Sequence, residues 1–471
     1  MTSALRGIAR SPGAGRRAAW LFLTLVVIYN ANGREIGTYD SQPTKFTIRE
    51  LAVAGTLTLD RVVAQQPMFA ERAGFAVDRG GHYRSAYSMM PVLAAAIPAI
   101  VLQRTGLVDF DAPLAPNLIA ALTASGLTAG AVTLVYLALL RLVTPAIALW
   151  TAIGLGLGTN CWTLVSQTLW QHESVAFGLA LALWAWLRPS RRSEDRRLHS
   201  VSNGSRSSIG TGLLALGAAG LGMAGTARPQ VAPLIACMLG WLIVRIGVRR
   251  AILPLAVVTG IAVLAVSVNV AWFGHPLGAL PRLQEGHPTV HLMPGSFSAT
   301  PWIGAAGLLF SPSRGLLVFS PVVAIAIAGI WIARRDARGA APGWLAAAAG
   351  VQFVAYSLFS VWWAGHTYGP RYLLDLLVPL TPLAALGVER LAQAAWSKAL
   401  MAILLAWSIA VAGAGAFVYP HEAWNSDPTE IDRDHARLWD VADSQIVRTL
   451  TSDASPQNFQ LFTTASVRDP R

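Results

Sequence analysis

The sequence is short of charge. Only 13% of its 471 residues are Asp, Glu, Lys or Arg, where a soluble domain carries about 25%. Over a chain this long, that deficit excludes an ordinary soluble enzyme and excludes disorder. Cysteine is nearly missing too. Cys161 and Cys237 are the two present. No CxxC and no Cys/His cluster at metal-ligand spacing accompanies them, so they read as buried thiols. No GxxxxGK[ST] and no GxGxxG after a strand is found, so nothing points to a nucleotide. HExxH and GxSxG are absent as well.

What fills the chain is apolar. Hydrophobic residues make up 54% and come in long blocks. At about 20 residues per span, half of the chain would fill roughly eleven helices. The expected fold class is therefore all-α: a polytopic integral membrane helical bundle of about eleven transmembrane helices, with outer-face interface helices.

The first 18 residues carry Arg6, Arg10, Arg16 and Arg17 and no acid. The apolar run 19–31 follows without a small-x-small cleavage site, and reads as an uncleaved first span with a cytoplasmic N-terminus. Further spans are expected near 115–140, 144–159, 174–187, 209–226, 229–247, 251–272, 315–333, 342–361, 372–388 and 398–418. The stretch 89–103 is short and holds Pro91 and Pro98, so it is placed as a helix on or dipping into the outer face. With that topology the inner segments hold 19 basic and 4 acidic residues, the outer segments 12 and 11, and the tail 420–471 5 and 9. Making 89–103 a span would move Arg188, Arg191, Arg192, Arg196 and Arg197 outside, against the positive-inside rule. The net charge of +12 is thus a topology signal, and it does not indicate a nucleic-acid partner.

The expected organisation follows. Residues 1–18 are a cytoplasmic N-terminus. Residues 19–187 form an N-terminal transmembrane module with a long first outer loop, 33–114. A basic cytoplasmic loop, 188–208, separates it from a C-terminal transmembrane module, 209–418. Residues 419–471 form an outer tail, with one amphipathic helix near 431–450 that packs on the outer loops or shields a site mouth. Within the first outer loop, 46–57 reads as an amphipathic helix suited to the interface.

The outer side gathers the unusual polar residues. Asp40 lies in a turn, in Ile36-Gly37-Thr38-Tyr39-Asp40. Gln171, His172 and Glu173 enter a span, where ionisable groups are costly and usually functional. Arg228, Arg314 and Arg371 stand at outer helix ends, and guanidinium forks match phosphate oxygens. Asp375, four residues beyond Arg371, is a candidate partner for it. No acid is near Arg228 or Arg314 in sequence, which favours them as anion ligands. The aromatics Trp302, Trp362, Trp363, Tyr368 and Tyr372 fit an interface belt or stacking surfaces for a sugar or prenyl chain.

This set suits sugar transfer from a lipid-phosphate donor to a hydroxyl. Asp40 would be the general base, and Arg228, Arg314 and Arg371 would bind the donor phosphate and stabilise the charge that develops on it. Gln171, His172, Glu173, Trp363 and Tyr368 would contact the acceptor or the sugar. At these residues the chain resembles the GT-C glycosyltransferases, which include protein O-mannosyltransferases, the lipid A aminoarabinose transferase and the oligosaccharyltransferase catalytic subunit. It looks most like their bacterial mannosyltransferase-like branch. The resemblance covers about residues 20–418. It rests on Ile36–Asp40 through Ile48-Arg49-Glu50-Leu51, on Trp170-Gln171-His172, on Phe310-Ser311-Pro312-Ser313-Arg314-Gly315, and on Trp362-Trp363 through Gly369-Pro370-Arg371-Tyr372.

The resemblance implies an extracytoplasmic active site in the plasma (inner) membrane. It also implies a polyprenyl-phosphate sugar donor and an inverting single displacement with Asp40 as base. Many members carry a second adjacent acid. Here Ser41 follows Asp40, and Glu35 and Glu173 are the candidates to supply it. Some members bind a divalent metal; the few paired acids here favour a metal-independent reaction with no cofactor. The acceptor hydroxyl could belong to a lipid, a glycan or a protein. The competing readings are a transporter or flippase of a lipid-linked sugar, and a glycan ligase or polymerase of another fold.

Overall fold

A computed structural model describes residues 13–187, 209–285, 297, 300–333 and 341–464. Arg6, Arg10, the basic loop 188–208 and the inner segment 334–338 lie outside the described residues. Helix makes up 69% of the structure. Among the described residues the strands are one short antiparallel hairpin, β1 (Phe75–Val77) and β2 (Tyr83–Ser85), with Phe75 opposite Ser85.

The main helices in chain order are α1 (Ala14–Tyr29), α2 (Gln42–Ala54), α3 (Met90–Arg104), α4 (Ala115–Leu139), α5 (Pro145–Leu157), α6 (His172–Trp186) and α7 (Thr211–Ala227). After them come α8 (Ala232–Ile246), α9 (Val248–Phe273), α10 (Pro301–Phe310), α11 (Ala324–Ala333), α12 (Ala341–Ser357), α13 (Leu374–Leu391), α14 (Ala395–Val418) and α15 (Gln445–Thr451).

The protein is an all-α membrane protein. Among the described residues, five helices are long and apolar enough to cross a bilayer: Ala115–Leu139, Pro229–Ile246, Val248–Phe273, Arg371–Leu391 and Ala395–Val418. Eleven complete spans are not reached by that measure, because α5, α7 and others are apolar but shorter. The expected span 315–333 is interrupted. Leu316–Phe319 and Pro321–Val323 are separate short turns ahead of α11, as a proline with no N–H to offer requires. Helix α10 falls where an outer loop was expected. Its ten apolar residues are too few to read as a span.

Packing follows from small residues. A Cβ on Gly178 of α6 would sit 2.2 Å from the Gly220 carbonyl oxygen of α7, and one on Gly220 would sit 2.5 Å from that of Gly178. Gly329 of α11 and Gly387 of α13 meet backbone of the facing helix in the same way. Glycine at such crossings lets helix backbones approach within contact. One apolar core joins α1, α4 to α8 and α12 to α14. Helix α9 packs on one side only, where Ile261 lies against Gly222 of α7. Only Ala251 and Pro254 are buried there, and its remaining apolar surface is what lipid would cover.

Two expectations for the outer segments change. Helix α2 does not lie free in an interface, because Lys45 and Glu50 on it are buried. They tolerate burial because Lys45 Nζ is 2.7 Å from Glu35 Oε2, and Arg61 Nε is 3.0 Å from Glu50 Oε2. The tail forms no continuous helix over 431–450. A 3-10 turn at His435–Trp439 is separated from α15 by a turn in which Asp440 Oδ1 accepts the N–H groups of Ala442 and Asp443. Ser444 then caps α15 by accepting the Val447 N–H. The tail does pack on the preceding chain: Phe459 N–H donates to the Asn32 carbonyl (2.7 Å) and Leu461 N–H to that of Gly33 (2.8 Å).

The glycine crossing is testable by a matched pair on α6 and α7. Gly178→Ala should cost about 1–3 kcal/mol by forcing the helices apart. Gly212→Ala, on α7 where an added Cβ meets nothing within 4 Å, should stay within about 0.5 kcal/mol. Thermal unfolding in detergent measures both, and equal shifts would contradict the packing account.

Candidate functional site

Asp40 ends a tight turn. Ser41 Oγ accepts the Thr38 N–H (3.1 Å) and donates to the Thr38 carbonyl (3.0 Å), which places Asp40 at the foot of α2. Its two oxygens go to two different partners. Oδ1 accepts the Tyr87 hydroxyl at 2.8 Å, and Oδ2 lies 3.2 Å from Arg371 Nη1. The Asp40 side chain keeps 44% of its surface exposed against 15% for Arg371, so the pair sits at an open edge. The Arg371 guanidinium also covers the Trp170 ring, 4.9 Å from its centre. Segments around 40, 87, 170 and 371 therefore converge on one spot.

This corrects the expected Arg371–Asp375 pair. Residues Arg371–Leu373 form a 3-10 turn before α13 begins. That tighter winding takes positions 371 and 375 off a common face. Asp375 instead anchors a buried network. Its Oδ1 is 3.1 Å from His172 Nδ1, its Oδ2 accepts the Tyr356 hydroxyl at 2.5 Å, and Arg228 Nε lies 3.3 Å from Oδ2. Arg228 Nη1 is 3.0 Å from His172 Nε2. A guanidinium can only donate, so Nε2 must accept and the ring proton must sit on Nδ1, donating to Asp375. His172 is thereby fixed as the neutral Nδ1–H tautomer. Arg228 is not the unpaired arginine that its sequence neighbourhood suggested.

Arg314 is further from the expected role. All five of its N–H groups are committed: Nε to the Trp363 carbonyl, Nη1 to the Ser313 carbonyl and Gln445 Oε1, and Nη2 to the Gly365 carbonyl and Asn425 Oδ1, at 2.6–3.1 Å. It is 1% exposed and clamps the tail to the bundle, with no donor left for a phosphate. Glu173 is buried and turned back on its own helix start. It accepts the N–H groups of Trp170 and Gln171 and the Ser174 hydroxyl. Glu35 is committed to Lys45 and Thr168. Neither stands as a second acid beside Asp40. Trp363 is buried under the tail, its indole N–H donating to Asp432 and its ring 4.0 Å from that of His435. Tyr368 is fully buried and donates to the Val411 carbonyl. Both are packed away from open space.

Gln171 is the expected contact residue that does face open space. It adopts a left-handed conformation with φ of 87°, a strained geometry for a non-glycine residue. It lines a cavity of about 200 Å³ together with Tyr87, Ser88, Gln230, Asn269 and Trp272. The far wall is α9, through Ile261, Leu264, Ala265 and Val268. The cavity thus mixes a few polar side chains with a mainly apolar lining, much of it from α9. Tyr87 belongs to both parts, because its ring lines the cavity and its hydroxyl binds Asp40. Among the described residues no group of three or more His, Cys, Asp or Glu side chains could hold a metal ion.

No family model matches the chain, and no characterised protein sequence matches it. Among solved structures it is similar to the archaeal oligosaccharyltransferase AglB from Archaeoglobus fulgidus in complex with an inhibitory peptide and a dolichol-phosphate. The identity there is 11%, over 97% of this chain and 64% of that one, with a TM-score of 0.49. It is also similar to the Archaeoglobus fulgidus oligosaccharyltransferase in a complex with Zn and sulfate, at 13% identity over 94% and 61% of the two chains, with a TM-score of 0.49. The chain spans about three fifths of the length of each.

The buried network is open to a double-mutant test. Asp375→Leu leaves Arg228 buried without its counter-ion, Arg228→Met leaves Asp375 so, and each should cost about 3–5 kcal/mol in detergent unfolding. The double variant removes both charges and should lose markedly less than these two single changes added together. Additive losses would show that the pair is not coupled.

Proposed function

We propose that the protein is a membrane glycosyltransferase of the GT-C type, taking a sugar from a polyprenyl-phosphate donor to an acceptor hydroxyl. The observation that carries this reading is the Asp40–Arg371 pair, joined through the Tyr87 hydroxyl to a cavity walled on one side by α9. An exposed carboxylate next to a guanidinium supplies the base and the counter-charge that such a transfer needs. The cavity offers a largely apolar path for the prenyl chain, leading to Tyr87 and through its hydroxyl to Asp40. The order of the sequence motifs in the chain supports the same assignment.

In this scheme the acceptor oxygen attacks the anomeric carbon, and its proton passes to Asp40. The bond from that carbon to the phosphate oxygen breaks, and its electron pair leaves with the polyprenyl phosphate. Arg371 faces that developing negative charge. Preorganised positive charge at such a point is worth most where water is excluded. A single displacement inverts the anomeric centre. Gln171, in the cavity lining, is placed to bind the sugar or the acceptor. Arg228 backs the cavity wall between Ala227 and Pro229, with its charge balanced by Asp375. The arrangement in the bilayer follows the charge distribution: N-terminus cytoplasmic, Asp40 and the tail extracytoplasmic, and the shorter apolar helices completing eleven crossings of the plasma membrane.

Transfer from a labelled lipid-linked sugar in membranes tests the role of Asp40. Asp40→Asn keeps the shape and removes the base, so transfer should fall about 10²–10⁴-fold at equal protein level. Unchanged transfer would remove Asp40 from the mechanism. Uptake of label into sealed vesicles without transfer would favour a transporter.

A further inference from the structure

Asp40 is held at one point by Arg371 and at another by a residue that no sequence motif singled out. The Arg371 contact uses one nitrogen and one oxygen, Nη1 and Oδ2 at 3.2 Å. A one-point contact fixes a distance but leaves the carboxylate plane free to turn about Oδ2. The Tyr87 hydroxyl engages the other oxygen at 2.8 Å, and two contacts on two oxygens define the plane. Each carboxylate oxygen can accept more than one hydrogen bond, so both keep capacity for an acceptor hydroxyl on the exposed side.

Tyr87 is itself held firmly. Its N–H donates to Ser85 Oγ at 3.2 Å, and Ser85 is the last residue of β2. Its ring lies over Gly74, where an added Cβ would come within 3.2 Å of it. Burial, and then the neighbouring Asp40 carboxylate, push its hydroxyl well above the usual tyrosine range. The group therefore stays a neutral donor and does not act as a base. Its ring meanwhile forms part of the cavity wall, next to whatever occupies that space.

We propose that Tyr87 is a positioning residue for Asp40: through its hydroxyl it fixes the plane of the carboxylate. This rests on the glycosyltransferase reading for its catalytic consequence, but not for its effect on Asp40 itself. The two can be tested apart. Tyr87→Phe keeps the ring and removes the hydroxyl. Its loss frees Oδ1 and lets the carboxylate turn, so carbodiimide should modify Asp40 about threefold or more faster at a fixed pH. Mass spectrometry reads that rate without any need for activity.

In a transfer assay the same variant should lower kcat about tenfold or more, as expected for one hydrogen bond to a charged group. The KM for the lipid-linked donor should stay within about twofold, because only uniform binding changes move KM alone. Replacing Tyr87 by 3-fluorotyrosine, which keeps the shape with a stronger hydrogen-bond donor, should slow the modification. It also serves as the probe if the Phe variant fails to fold. An unchanged modification rate with both variants overturns the positioning role, whether or not sugar is transferred. A changed rate without any transfer by the wild-type protein sinks the glycosyltransferase reading and leaves the positioning of Asp40 intact.

Discussion

The site depends on one buried carboxylate. Asp375 is 2% exposed, and a charge so placed is tolerable only when it is paired and hydrogen-bonded. It draws Arg228 from the end of α7, His172 from the start of α6 and Tyr356 from α12. Those partners join helices that are far apart in sequence at one level of the bundle. The His172 tautomer follows from the same constraint, since the ring must accept from Arg228 and donate to Asp375.

Two consequences reach the edge of the cavity. Because Arg228 neutralises Asp375, Arg371 is free to face Asp40, 331 positions away in the chain. Because His172 is locked, the turn before it is locked as well. Glu173 holds the Trp170 and Gln171 N–H groups, which sets Trp170 beneath Arg371 and Gln171 toward the cavity. The tail contributes from the other side. Arg34 donates to the Ala416 and Tyr419 carbonyls, and the tail backbone pairs with Asn32 and Gly33, so the start of the segment leading to Asp40 is fixed. Helix α9, which packs on α7 but buries only Ala251 and Pro254 fully, forms one wall of the cavity.

The helical membrane character was legible because it is a bulk property of long apolar blocks and scarce charge. The motifs around Asp40, Trp170–His172 and Pro370–Tyr372 were also legible as polar groups in costly places, and the structure does bring Asp40, Trp170 and Arg371 together. Their partners were not legible. A linear reading can pair only residues at short spacing, which is why Arg371 was matched to Asp375 four positions on. The structure pairs across hundreds of residues instead. Arg314 illustrates the same limit: it looked unpaired because its acceptors are mostly carbonyl groups and tail amides, which leave no charge signal. Trp363 and Tyr368 looked like ligand contacts because they are aromatic at a boundary, but the tail and α14 cover them. Tyr87 carried no periodic or spacing signal, and only the fold reveals it.

The central claim is that a lipid phosphate is received beside Asp40 and Arg371 with its chain along α9. A structure of the protein in a lipid disc with bound polyprenyl phosphate tests this most directly. The expected result is the phosphate within hydrogen-bonding distance of the Arg371 guanidinium, and the first isoprenes against Ile261, Leu264 and Val268. A phosphate bound elsewhere on the protein, with this cavity empty, would contradict it.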